Sequence, residues 1–195
     1  MVVPLAVGEA RQWGKQDVDM ESAPVVSRTA LDVFARDLAL CLSVHRDRGP
    51  ALVWPDGLEA LAAEPSLADF AQVIAGTATA TTPPMPPGCP GGVAEELGRL
   101  LGCEVRRSLV LLLAGEERPD NRAATDLVLL PVQGGCDCRV ELEPRGADPA
   151  ASPRDLNLRL RVGEALYVPG GLTYALGGVH APCLLQVISL HAASW

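Results

Sequence analysis

The sequence predicts an α+β protein in which a helical front half leads into a β-rich back half. Before residue 104, apolar residues recur at the three- and four-residue spacing of amphipathic helices. After it, they form short runs, most of which alternate with a period of two or are continuously apolar, as strands do. Turns rich in Gly, Pro or Asp separate these runs, which favours a sandwich or barrel over βαβ units.

The front half begins with an arm. Residues 1–26 show no periodicity, and residues 27–103 form a helical region. Its first helix follows Ser27 and ends before Gly49-Pro50. The stretch ALVWP predicts a short strand, GLEALAAEP and SLADFAQVIAG predict short helices, and VAEELGRLLGC predicts a last helix. The proline-rich stretch 77–92 predicts a loop that serves as a plain connector, with an active-site lid as the alternative.

The back half, residues 104–195, predicts a β-barrel that belongs to one compact domain with the helices. Its strands are predicted in EVRRSLVLLLAG, DLVLLPVQGG, DCRVELEP, LNLRLRVG, ALYVP and CLLQVISL.

Composition excludes several classes of function. At 195 residues and 48% hydrophobic, the chain can bury a sizeable core. A net charge of −8 without any basic block argues against binding to nucleic acid or to an anionic membrane. We find no secretory signal and no run near the roughly 18 apolar residues of a membrane span, so we expect a cytoplasmic protein.

Three stretches of the back half resemble the JmjC-type branch of the cupin superfamily. They are DLVLLPVQGGCDCRVELEP, VGEALYVPGGLTY and APCLLQVISL. The second is similar to the family's GD-x-LY-(L/V)-P-x-G-x-x-H and departs from it at Tyr174, where the family has histidine. The resemblance is to the ribosomal-oxygenase-like group, which hydroxylates protein side chains with Fe(II) and 2-oxoglutarate. It implies a cupin barrel, also called a double-stranded β-helix or jelly roll.

The resemblance also implies where the cofactors of that family would bind. Two histidines and a carboxylate hold the iron and leave positions open for 2-oxoglutarate and oxygen. These positions align with Asn121, Ala123 and Tyr174, which are not a normal iron ligand set. The basic residue that grips 2-oxoglutarate aligns with Cys136, and a nearby aromatic aligns with Cys138. We therefore predict a degenerate member that uses no metal and no other cofactor.

The candidate pocket-lining residues are Asn121, Ala123, Asp126, Cys136, Cys138 and Tyr174. Tyr174 either plugs the vacated site or acts in ligand binding or acid-base chemistry with Asn121 and Asp126. A buried tyrosine hydroxyl needs a hydrogen-bond partner, and Asn121 is the candidate. A metal site built from the cysteines with Cys183 and His180 is a further alternative, but small apolar cysteines inside the barrel are favoured.

Two classes of function stay open because no catalytic constellation can be assembled from the residues. The first is a binding or accessory protein for a peptide, a small molecule or a protein partner in a bacterial biosynthetic pathway. The second is a metal-independent isomerase, cyclase or lyase, and a hydroxylase with relocated ligands is a further alternative. A homodimer is compatible with either class. An open polar pocket would favour an enzyme, and a pocket filled by side chains would favour binding.

Overall fold

The structure is a computed structural model that describes residues 28–46, 48–64, 66, 92–142 and 155–191. The predicted arm, nearly all of the helix predicted in SLADFAQVIAG, and all but the last residue of the proline-rich stretch lie outside the described residues.

The front half of the described chain contains two α-helices, a short strand and a 3-10 helix. These are α1 (Arg28–His45), β1 (Ala51–Val53), the 3-10 helix (Leu58–Ala63) and α2 (Val93–Leu101). The stretch GLEALAAEP is thus a 3-10 helix between the left-handed Gly57 and the extended Glu64. A segment this short gains little from α-helical hydrogen bonds, so the tighter 3-10 turn is accessible to it.

Eight strands follow in the described residues, and each of the six predicted β-rich runs overlaps one of them. They are β2 (Glu104–Leu112), β3 (Arg118–Arg122), β4 (Asp126–Gln133), β5 (Gly135–Glu141), β6 (Asp155–Arg161), β7 (Ala165–Val168), β8 (Thr173–Gly177) and β9 (Cys183–His191). The sequence predicted neither β3 nor β8 as a strand, because RPDNR is polar and TYALG lies in a glycine-rich stretch that indicates a turn.

Together with β1, these eight strands form two antiparallel sheets, in which β2 to β9 wind as one long folded ribbon. Going outward from the β5–β6 connection, β5 pairs with β6, β4 with β7, β3 with β8 and β2 with β9. Successive pairs fall in opposite sheets, which have the orders β1-β7-β4-β9-β2 and β3-β8-β5-β6. This winding is that of a jelly roll, so the predicted jelly-roll fold of the back half is confirmed. The predicted helical front half is supported only in part, since its described residues contain two α-helices and one 3-10 helix.

The helices add a third layer on the outer face of the five-stranded sheet. Val128 and Leu130 of β4 pack in one cluster with Phe34 and Leu38 of α1, while Leu129 packs between the two sheets. Strands β4, β7 and β9 are therefore buried on both faces, which explains their continuous apolar runs. Strand β5 alternates between buried and exposed residues because one of its faces meets solvent.

A buried ion pair attaches α2 to the rest of the fold. The Glu64 carboxylate accepts a hydrogen bond from the Val93 N–H at 2.9 Å and pairs with Arg107 at 2.9 Å. The two charged side chains are only 1% and 11% exposed. The residue before the helix, Gly92, has no capping side chain, so Glu64 supplies the cap from another segment.

Candidate functional site

Five of the six predicted site residues face the core between the two sheets, and three of them are those at the implied iron positions. Asn121 and Tyr174 are direct partners across β3 and β8, and Tyr174 is also opposite Val140 of β5. Val140 is part of the core between the sheets, so its cross-strand partners share that inner face. Ala123 is fully buried in the same core.

The Tyr174 side chain is half-buried and packs against this core. Burial raises the pKa of its phenol, the Cys138 thiol adds to the shift and Arg118 opposes it. The phenol is therefore neutral at pH 7. The expected hydrogen bond to Asn121 is not found among the described residues, since the Asn121 amide donates to the Arg118 carbonyl at 2.8 Å. Both partners of this hydrogen bond belong to β3, so the bond does not depend on Tyr174.

Three cysteines contribute to the core between the sheets. Cys136 and Cys138 lie on the buried face of β5, and Cys183 begins β9. At the turn before β5, the backbone of Gly134 lies against the start of β9. The approach is so close that a Cβ at Gly134 would be only 3.0 Å from the Cys183 Cα. The Cys136 thiol hydrogen-bonds to Cys183, which raises the pKa of Cys136, and burial raises it further.

The same hydrogen bond lowers the pKa of Cys183, but burial opposes that lowering. In this pair the Cys136 thiol holds its proton more firmly, because its hydrogen bond and its burial both raise its pKa. Burial also raises the pKa of Cys138 to about 12. The cysteines of β5 are thus neutral thiols at pH 7, which is unsuited to nucleophilic attack.

Asp126 is not brought to the other candidates. On β4 it is on the side of Val128 and Leu130, which face the helices. Its carboxylate accepts a hydrogen bond from the Gly170 N–H at 2.9 Å and contacts Arg46 at 3.3 Å. Asp126 therefore joins the end of α1 to the turn before β8, on the opposite face from Tyr174.

The residues at the implied iron positions do not fit an iron centre. Ala123 has no donor atom, the Asn121 amide is engaged with a backbone carbonyl, and Tyr174 carries a neutral phenol. No group of three or more His, Cys, Asp or Glu side chains within the described ranges is placed to hold a metal ion. Cys136, which the sequence resemblance aligns with a cosubstrate-binding cation, is fully buried among apolar side chains.

A groove of about 480 Å³ lies on the opposite, outer face of the four-stranded sheet. Its floor is formed by the small residues Ala175 and Gly177 of β8. Taller side chains stand on both sides of this floor, and they are Glu117, Pro119, Asp137, Arg139, Asn157 and Arg159. Sequence reasoning missed this site, although the outward positions of β5 and β6 were recognisable from their alternation.

The groove contains charges of both signs. Arg159 pairs with Asp137 at 2.8 Å and also donates to the Gly178 carbonyl at 3.3 Å. The Arg139 guanidinium forms a longer ion pair, with its Nε 3.9 Å from the Asp155 carboxylate. Glu117 has no ion-pair partner in the described part of the chain. One cation and one anion thus remain weakly engaged around a floor without long side chains.

No protein-family model matches the sequence, and no curated protein matches it. Solved structures similar to it are cupin proteins at low sequence identity. The DMSP lyase DddQ from Ruegeria pomeroyi is 19% identical with a TM-score of 0.36, over 47% of this chain and 40% of that one. RmlC from Streptococcus suis is 10% identical with a TM-score of 0.38, over 47% and 45%.

A cupin superfamily protein from Desulfitobacterium hafniense is 20% identical with a TM-score of 0.35, over 45% of this chain and 67% of that one. The chain thus spans less than half of the length of the first two structures. Separately, none of the helices in the described ranges is long and apolar enough to cross a membrane.

Proposed function

We propose that this chain is a degenerate JmjC-like cupin that works without metal or 2-oxoglutarate, as a binding or accessory protein. Its ligand is a peptide or a small molecule, and its setting is a bacterial biosynthetic pathway. The observation that carries the proposal is the side-chain set at Asn121, Ala123 and Tyr174. The sequence resemblance assigns these positions to iron ligands, and all three lie on one inner face.

The packing between the sheets supports binding over catalysis inside the barrel. Leucine, valine and cysteine side chains fill the space that an active site would need, and Leu129, Leu166 and Leu185 among them are completely buried. Tyr174 packs against the same cluster. A metal-independent isomerase, cyclase or lyase would instead require convergent polar groups in an open cavity. That alternative and a hydroxylase with relocated ligands are outcomes that the experiment below distinguishes.

The test is metal analysis of protein purified anaerobically, together with titration by 2-oxoglutarate. We expect no stoichiometric iron and no saturable binding of 2-oxoglutarate. One iron per chain with 2-oxoglutarate binding would overturn the proposal and favour the hydroxylase. One zinc per chain would instead point to a site formed by cysteines.

A restoring variant tests the positional assignment itself. Asn121→His, Ala123→Asp and Tyr174→His together place two imidazoles and a carboxylate on the shared inner face. We expect this triple variant to bind Co(II), a redox-stable probe, at one equivalent per chain, while the unmodified protein and the variant Asn121→His alone do not. If the folded triple variant binds no more Co(II) than Asn121→His alone, the three positions are not a vacated iron site.

The proposal extends to the organisation of the chain. We place a separate arm at residues 1–26, the helical region at 27–103 and the barrel at 104–195, all in one compact domain. The protein acts in the cytoplasm and has no nucleic-acid or membrane partner, which its net charge of −8 supports. A protein partner or a second copy of the chain remains compatible with this function.

A further inference from the structure

We infer that the outer groove of the four-stranded sheet binds a small zwitterion, an amino acid or a short peptide with two charged ends. The inference rests on the proposed function only in treating the chain as a binding protein. It places the ligand outside the barrel, on the face opposite to Tyr174.

The shape of the groove follows from the register of the strands. Gly177 is opposite Asp137, which is opposite Arg159. Ala175 is likewise opposite Arg139, which is opposite Asn157. These residues form two adjacent rows across the outer face. In each row the residue on β8 has a small side chain or none, whereas the residues on β5 and β6 have longer side chains. On the other side of β8, Glu117 and Pro119 form the second wall.

The backbone conformation at Gly177 does not require a glycine. Gly177 does not have a positive φ, and a Cβ at this position would meet Glu117 Cγ at 3.4 Å, an ordinary contact. Gly178 differs, because its φ of 60° and its approach to Asp137 leave no room for a side chain. The fold would therefore accept an alanine at Gly177, and its methyl group would touch the aliphatic part of the Glu117 side chain at the edge of the groove.

The charges around the floor select the class of ligand. Two carboxylates and two guanidinium groups line the groove, so its net charge is zero and a ligand with a net charge gains little from it. Asp137 and Arg159 already neutralise each other at 2.8 Å. The other two, Glu117 and Arg139, present an anion on one wall and a cation on the other, and Arg139 is only weakly neutralised because the Asp155 carboxylate is 3.9 Å away.

The strands that carry this remaining pair are two strand spacings apart, about 10 Å. A ligand with an ammonium group towards Glu117 and a carboxylate towards Arg139 would satisfy both. Arginine forms charge-assisted, two-pronged hydrogen bonds with carboxylates, which favours this orientation.

The experiment is a titration of the full ¹⁵N-labelled chain, followed by NMR through the amide signals of Ala175, Gly177 and Gly178. The probes are L-alanine, L-alanyl-L-alanine, and the dipeptide blocked by N-acetylation or C-amidation. We expect saturable shifts with a free zwitterion and at least about tenfold weaker binding of both blocked forms, the loss of one charged contact. Saturation by L-alanine would identify an amino acid as the ligand, and saturation only by the dipeptide would identify a peptide.

Variants separate the groove from the rest of the surface. Arg139→Gln and Glu117→Gln each remove one charge, and Gly177→Val fills the floor, so all three should weaken binding by about tenfold or more. Arg161→Gln is the matched control, because Arg161 is exposed on the same sheet outside the groove and should leave affinity unchanged.

The inference is overturned if no probe produces saturable shifts, or if blocked and free dipeptides bind equally. It fails separately from the proposed function, since iron or 2-oxoglutarate would perturb the inner face around Tyr174 and not these outer amides.

Discussion

Removing the Glu64 carboxylate should destabilise the protein strongly. In the variant Glu64→Leu, the Arg107 guanidinium stays buried without its counter-charge, and the Val93 N–H loses its acceptor. Breaking a buried ion pair from one side costs about 3–5 kcal/mol, because one charge remains desolvated. That is a large share of the roughly 5–15 kcal/mol by which a domain is stable.

The double variant Glu64→Leu with Arg107→Met should recover most of this loss. It removes both charges and fills the site with apolar side chains, which is often nearly neutral. The residual cost is the lost cap at Val93, about 1 kcal/mol. The stability recovered by adding Arg107→Met to Glu64→Leu should therefore be about 2–4 kcal/mol, obtained as the difference of these values.

The assay is urea unfolding followed by far-UV circular dichroism, with the free energy of unfolding compared among the four members of the cycle. Arg106→Gln is the matched control, since Arg106 is adjacent on β2 and its pair with Glu104 is 69% and 60% exposed. It should change stability by less than about 1 kcal/mol. A loss below about 1 kcal/mol for Glu64→Leu, or additive effects in the double variant, would refute the reasoning.

Three other predictions follow from buried groups and backbone geometry. The free energy of unfolding should fall as the pH rises above about 8.5, where unfolded cysteine ionises, because native Cys138 keeps its proton up to a pKa of about 12. Urea midpoints at pH 7 and 9.5 should show a smaller fall for Cys138→Val, and an equal fall would contradict the assignment. Gly57→Ala should destabilise by several kcal/mol, since Gly57 has a φ of 81° and the new Cβ would lie 2.5 Å from the Ala30 carbonyl oxygen. Gly115→Ala, with a φ of 76° and open space, should cost only about 1 kcal/mol, and equal losses in thermal unfolding would refute the steric explanation. Gln186→Leu should stabilise the protein by about 1–3 kcal/mol, because the buried amide finds no hydrogen-bond partner in the described part of the chain. A lower urea midpoint for this variant would indicate that the amide is satisfied in solution.

The candidate site was only partly predictable from the sequence. The resemblance aligned Asn121 and Tyr174 with ligand positions, and the structure pairs them across two strands. It could not assign a direction to Asp126, because one residue of displacement along a strand exchanges its two faces. The outer groove was also missed. Its rows join residues from β5, β6 and β8, and nothing in any one strand reveals which strands will be neighbours.

By itself the sequence determined where most of the strands lie and, for β4, β5 and β9, whether one face or both are buried. The alternation in β5 indicates that one face is buried, and the continuous apolar runs in β4 and β9 indicate that both faces are buried. These patterns can be seen in the sequence because each buried position favours an apolar residue by itself. Only the tertiary structure decided how the strands wind into two sheets and which distant residues contact one another. Glu64 caps a helix that begins at Val93, and no local pattern encodes a contact between segments so far apart. Such a contact depends on the tertiary fold, because it joins segments 29 residues apart whose approach costs loop-closure entropy.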